Sequence, residues 1–210
     1  MTVAILADEL LKQEWNAKKI PEQVEVVWAD SIRSLLIIDA DVYIDLLFEM
    51  DAARTSQLKK LLPKPVIVNS VAYTTKAIGA DFIRINAWPT LLQRGITELA
   101  APEGYDTSLI EPVFDTCQFV PDIPGMITAR VIAMIVNEAY YTLGAEVSSK
   151  EEIDIAMKLG TNYPYGPFEW SSRIGLKRIY ELLKALSYTD ARYAIAPALE
   201  QDQVEGNRVK

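Results

Sequence analysis

Residues 123–176, IPGMITARVIAMIVNEAYYTLGAEVSSKEEIDIAMKLGTNYPYGPFEWSSRIGL, decide the fold of the second half of this chain, because they read as helices with legible ends. Pro124 can open a helix, since its missing N–H is one that the first turn leaves unused. Met126 to Leu143 is apolar nearly all round, the pattern of a helix buried between elements or subunits, and Gly144 stops it. Ser148 with Glu151 three residues on has the spacing of a capping box, which starts a helix running to Met157 and ending at Gly160. Beyond the stretch, Leu176, Ile179, Tyr180, Leu183 and Leu186 fall on one face of a final amphipathic helix. Residues 201–210 are polar and read as a loose, flexible tail.

Working back toward the amino terminus, short apolar runs alternate with helical stretches, the pattern of a parallel sheet flanked by helices. Strands are expected near Val3 to Leu6, Val24 to Trp28, Val42 to Leu47, Val66 to Asn69 and Phe82 to Ala87. Asp8 to Lys19 reads as a helix with Leu10, Leu11 and Trp15 on one face, and Ala52 to Leu62 as another with Leu58, Leu61 and Leu62 on its face. The fold class is therefore α/β plus all-α: a shortened Rossmann-like parallel sheet, then a helical domain. Pro121 and Pro124 mark the boundary, giving residues 1–120, 121–200 and the tail 201–210.

Half of the residues are apolar and about a quarter charged, which fits a globular protein rather than a disordered one. A formal net charge of −8 argues against a nucleic-acid or anionic-membrane surface. The single cysteine, Cys117, has no partner for a disulfide, and with no histidine in the chain it has none for a Cys/His zinc site, so no metal is expected. The opening MTVAILADEL does not look like a signal peptide, and no run approaches the ~20 apolar residues of a membrane span, so a cytoplasmic address is expected.

A series of phrases carries a family resemblance. Pro124-Gly125-Met126 with Arg130, Asn137-Glu138-Ala139, Ile153-Asp154 with Ala156, Met157 and Gly160, Pro164 with Gly166-Pro167-Phe168, and Ile174-Gly175-Leu176 follow one another in order and at the right spacing. The series resembles the carboxy-terminal domain of the 3-hydroxyacyl-CoA dehydrogenase family, a fold of the 6-phosphogluconate dehydrogenase C-terminal-like type. Upstream, Asp39 to Ile44 with Glu49, and Val68-Asn69-Ser70, resemble the strand ends that in the family face the nicotinamide cofactor and substrate.

The resemblance implies NAD as cofactor and a histidine general base, held by a glutamate, that takes the hydroxyl proton. Here the corresponding stretch is Ile83 to Pro89, which places the histidine position on Ile85 or, with a one-residue slip, on Asn86. Glu98 stands where the resemblance puts the partner glutamate, Ser70 at the family's serine, and Ala129 at its active-site asparagine. The catalytic candidates are thus Glu98, Ser70 and Asn86, as a remnant or remodelled site. The cofactor candidates are Asp30 after the second strand, Glu49 and Asn69. A dinucleotide site needs glycines after its first strand, yet Ala7-Asp8-Glu9 follows it and no glycine precedes Gly79. Arg84 and Trp88 read either as lining of a remodelled pocket or as a strand-end arginine and a core tryptophan.

Three readings remain open at this point. The first is a 3-hydroxyacyl-CoA dehydrogenase-like protein of the fatty-acid β-oxidation type with degenerate cofactor and catalytic sites, a homodimer through its helical domain that binds an acyl-CoA or other small molecule. The second is a divergent NAD(P)-dependent oxidoreductase acting through Glu98, Ser70 and Asn86. The third is a dimeric scaffolding or regulatory module.

Overall fold

The five apolar runs of the first half become strands in a computed structural model, which describes residues 1–208. They are β1 (Thr2–Leu6), β2 (Glu25–Ala29), β3 (Val42–Asp45), β4 (Val66–Asn69) and β5 (Ile83–Ile85), all mutually parallel. Successive side chains go to opposite faces: Val3, Ile5, Val42, Ile44 and Ile67 enter one core, while Ala4, Leu6, Tyr43, Val66 and Val68 enter the other. Apolar residues at consecutive positions mean that both faces are covered, as a parallel sheet requires. Helix α1 (Glu9–Asn16) covers the first face through Leu11 and Trp15, and α2 (Ile32–Ile37) and α3 (Ala52–Leu58) cover the second through Leu35 and Leu58. A single turn, α4 (Thr75–Ile78), ends at Gly79, whose φ of 71° is the left-handed stop that glycine permits.

Two strands lie outside the sequence expectation. β6 (Thr97–Ala100) pairs antiparallel with β5, and β7 (Cys117–Phe119) pairs parallel with β6, so the order is β2-β1-β3-β4-β5-β6-β7. Two compact units part at Met126/Ile127 rather than at the expected 120/121. Side-chain chemistry keeps residues 121–126 with the sheet: Arg84 bonds Asp122 and the carbonyl of Ile123, and the Gly125 N–H donates to the Val71 carbonyl at 2.8 Å.

The second unit contains α5 (Thr128–Gly144), α6 (Lys150–Thr161), α7 (Pro167–Ile174), α8 (Leu176–Ser187) and α9 (Pro197–Arg208). α5 packs on α7, α8 and α9 and buries Ile132, Ala133, Val136 and Ala139, but Val131 is 53% exposed, so the helix is not enclosed all round. Asn137 of the Asn-Glu-Ala phrase clamps the segment before α9, donating to the Ala194 carbonyl (2.8 Å) and accepting from the Ala196 N–H (2.9 Å).

The expected capping box slips by one residue. Ser149 caps α6 with Glu152, and Ser148 joins the same carboxylate at 2.7 Å, because adjacent serines offer two caps and the helix takes the one that leaves Glu152 at its third position. α6 also runs through Gly160 and stops at Asn162, which adopts φ 57°. Residues 201–208, expected as a loose tail, continue α9: Leu199 is fully buried, and Asp202 accepts from Tyr140 Oη (3.0 Å) and Lys150 Nζ (2.6 Å). Val209 and Lys210 of that tail lie outside the described residues. No helix among the described residues is long and apolar enough to cross a membrane.

Candidate functional site

Ligands of parallel sheets sit beyond the carboxyl ends of the strands, and the sheet unit brings most of the candidate residues to that edge. β1 runs through Ala7 into Asp8, whose carboxylate accepts the Leu11 N–H at 2.9 Å and caps α1, while Glu9 occupies the first turn. A pyrophosphate at this helix end would compete with Asp8 for a backbone donor and meet two carboxylates at the positive end of the helix dipole. The residues present therefore do not fit the phosphates of a dinucleotide.

Asp30, Glu49 and Asn69 stand at or just past the ends of β2, β3 and β4. Asp30 is at the surface, 3.9 Å from Lys12 Nζ, and Glu49 is exposed. Asn69 is a backbone clamp rather than an open ligand group: Nδ2 donates to the carbonyls of Leu46 (3.0 Å) and Ala87 (3.2 Å), and Oδ1 accepts the Ala87 N–H (3.1 Å). Beside it lies a pair that sequence reasoning missed. Asp45, fully buried at the end of β3, is gripped by both arms of Arg54 at 2.7 Å. Burial pushes the Asp45 carboxyl up, and the Arg54 guanidinium pulls it back.

Arg84, fully buried on β5, uses its guanidinium internally. Nε donates to Asp122 (2.6 Å), Nη1 to the carbonyls of Ser70 (3.0 Å) and Tyr73 (2.9 Å), and Nη2 to Ile123 (3.1 Å). Of the two readings for Arg84 and Trp88, this use of the guanidinium donors favours the strand-end arginine, and Trp88, 4% exposed, is the core tryptophan. Ser70 Oγ donates to the Tyr73 carbonyl at 3.0 Å, within the same clamped turn.

Asn86 and Glu98 do meet. Both are buried, the Asn86 N–H donates to the Glu98 carbonyl (3.0 Å), and Asn86 Nδ2 donates to Glu98 Oε2 at 3.1 Å. Arg94 Nη1 stands 3.7 Å from the other carboxylate oxygen. Ile85, the alternative histidine position, is fully buried in the core beneath.

The loop between them is tied down by α1 and by Lys18, two residues past its end. Glu14 accepts the Thr90 N–H at 2.6 Å, and Lys18 Nζ donates to the Leu92 (2.9 Å) and Arg94 (2.7 Å) carbonyls and to Thr97 Oγ1 (2.8 Å). Burial, with Arg94 adding to it, pushes the Lys18 ammonium pKa down to about 8. Thr90 has φ 75° in the turn that Leu91 N–H closes on the Trp88 carbonyl, with Pro89 before it. A turn with Pro in second place and positive φ in third favours glycine there, and a β-branched residue is strained. Thr90→Gly is accordingly expected to stabilise the protein by about 1 kcal/mol. A higher urea midpoint checks this; a lower one would mean that the threonine side chain contributes more by packing than its backbone costs.

The geometry defines the class: a Rossmann-like, mostly parallel sheet, with a separate helical unit following it in the chain. Residues 125–209 match the family model of the 3-hydroxyacyl-CoA dehydrogenase C-terminal domain. The chain is 34% identical over 164 residues to the 3-hydroxyadipyl-CoA dehydrogenase of Escherichia coli, a match spanning 74% of this chain and 30% of that protein. It is 31% identical over 184 residues to a probable 3-hydroxybutyryl-CoA dehydrogenase of Bacillus subtilis, spanning 77% and 63% respectively. The crystal structure of the (S)-3-hydroxybutyryl-CoA dehydrogenase of Ralstonia eutropha has the same fold, with a TM-score of 0.72 at 20% identity over 98% of this chain and 94% of that one. On these matches residues 125–209 form a C-terminal domain of the 3-hydroxyacyl-CoA dehydrogenase family, and the chain resembles such enzymes over about three quarters of its length. It spans less than two thirds of the length of these two curated relatives.

Proposed function

We propose that this chain is a 3-hydroxyacyl-CoA dehydrogenase-like protein of the fatty-acid β-oxidation type that binds an acyl-CoA or related small molecule without transferring hydride. The observation that carries the reading is the buried Asn86–Glu98 pair. The resemblance calls for a histidine base at this strand end, and a carboxamide already donating to a carboxylate cannot take a substrate proton near neutral pH. The self-capped start of α1 supports the loss of NAD in a degenerate Rossmann-like domain. In this reading Glu98 orients Asn86, and Ser70 belongs to the remnant of the site without contributing chemistry. Ile127 and Val131, one turn apart on the outer face at the start of α5 and both about half exposed, favour a homodimer through the helical domain. Sedimentation equilibrium showing only monomer at micromolar concentration would remove the dimer. A cytoplasmic address goes with the same reading.

Calorimetric titration tests the ligand claim. Acetoacetyl-CoA is expected to bind saturably and NADH is not; saturable NADH binding that tightens with acetoacetyl-CoA present would overturn the loss of the cofactor. The competing reading, a divergent oxidoreductase using Glu98, Ser70 and Asn86, is favoured only by the contact of Asn86 with Glu98, because the Ser70 hydroxyl is already bonded to Tyr73.

A further inference from the structure

We infer that Lys18 is a proton-operated latch on the loop joining Asn86 to Glu98: the loop is held most firmly while the Lys18 amine is neutral, and a proton taken up there loosens it. The inference concerns the motion of this loop and stands whichever ligand the chain binds.

Lys18 grips the loop at three points. Residues 93–96 are exposed, and Lys18 Nζ meets the Leu92 carbonyl just before them (2.9 Å), the Arg94 carbonyl among them (2.7 Å) and Thr97 Oγ1 just after them (2.8 Å). The two carbonyls only accept hydrogen bonds, whereas the hydroxyl also donates. A neutral amine has two N–H groups and one lone pair, so it satisfies all three contacts once the Thr97 hydroxyl turns to donate to it. The contacts therefore need no positive charge, and the surroundings disfavour one. Lys18 is half-buried, and among the described residues no carboxylate stands within ion-pair reach of it.

The charged and titratable groups around it are otherwise engaged. Glu14, one turn earlier on α1, accepts the Thr90 N–H, and Lys19 pairs with Asp115 at 3.4 Å. Glu98 on β6 faces Asn86 and the Arg94 guanidinium, and Cys117, opposite Thr97 on β7, carries a thiol that burial pushes up. Burial first, and then the positive charge of Arg94, lowers the Lys18 pKa from 10.5 to about 8. Below about pH 8 the closed and open loops carry the same proton, and pH does not shift their balance. From there toward 10.5 the closed loop gives up a proton that the open loop keeps, so rising pH favours closure.

Tryptic cutting of the full chain after Arg94 reads the loop, because a protease needs the segment drawn away from the fold and its rate then follows the open population. Measured against a free peptide of residues 88–100 at the same pH, the cut is expected to be about tenfold slower at pH 9 than at pH 7. Lys18→Met keeps the stem and removes the titrating group, so its normalised rate is expected to be higher and equal at the two pH values. An NMR titration of the Lys18 Cε carbon in the unaltered protein, which depends on no variant, is expected to show a midpoint of about 8, apart from the exposed lysines. Equal rates at the two pH values in the unaltered chain, a slowing that persists in Lys18→Met, or a Lys18 midpoint at the ordinary lysine value would each overturn the latch.

Discussion

Replacing Arg84 with methionine is expected to cost about 3 kcal/mol of stability, the low end of the range for removing one partner of a buried ion pair, because Asp122 is a quarter exposed. Methionine keeps most of the apolar volume, so the loss reports polar chemistry rather than a cavity. The guanidinium joins three segments that are distant in sequence: β5, the turn Ser70–Tyr73 and the strap at Asp122–Ile123. Without it, Asp122 keeps only the Thr75 backbone N–H, at 3.0 Å, and its hydroxyl, while the carbonyls of Ser70, Tyr73 and Ile123 lose this donor. Arg84→Lys is not expected to restore the loss, because a single ammonium cannot reach acceptors arranged around a planar fork. Urea unfolding followed by tryptophan fluorescence measures the effect. A loss below about 1 kcal/mol would place the pair with ordinary surface ion pairs and contradict the clamp.

Gly166→Ala is expected to have an effect of similar size, about 3–5 kcal/mol, in the helical unit. The reason is the contact between the Ile-Asp phrase and the Gly-Pro-Phe phrase. Asp154 on α6 accepts the Phe168 N–H (2.8 Å) and the Glu169 N–H (3.1 Å) at the start of α7, a cap supplied from another helix. A Cβ on Gly166 would fall on the Asp154 carboxylate and on its Cβ, which the α6 backbone fixes. Either the carboxylate leaves and two N–H groups go unpaired, or the two helices separate. Asp154→Asn keeps the size and one acceptor and should lose clearly less. The fall in helical circular dichroism on urea titration reads both variants. An unchanged midpoint for Gly166→Ala would show that the two helices can part without cost.

Local rules carried the sequence reading where chemistry is local and failed where partners are distant. The five parallel strands were legible because β1, β3 and β4 are continuous apolar runs buried on both faces. β6 and β7 were not: Thr97–Ala100 carries Glu98, and Cys117–Phe119 is three residues with an exposed Gln118 in the middle, so neither forms an apolar run. Only the last turns of α9, residues 201–208, read as tail in the sequence, because they are polar; what orders them is Asp202, bonded to Tyr140 and Lys150 more than fifty residues earlier. At the site, Glu98 could be named from the family phrase, but only the pairing of β5 with β6 sets Asn86 against it and sends Ile85 into the core. Strand-end asparagines look available in a sequence, which makes Asn69 a cofactor candidate there; in the fold its amide is bonded across to the backbone of two neighbouring strand ends. Asp45 with Arg54 was invisible for the same reason, as nothing in a one-dimensional pattern marks a buried pair nine residues apart across a strand and a helix.

The most direct test of the central claim is oxidation of NADH by the purified protein with acetoacetyl-CoA, run beside an active family member in the same buffer. The account predicts no turnover above the uncatalysed rate while the binding titration with acetoacetyl-CoA stays positive. Turnover that disappears in Glu98→Gln would contradict it and assign this chain a histidine-free hydride transfer through the Asn86–Glu98 pair.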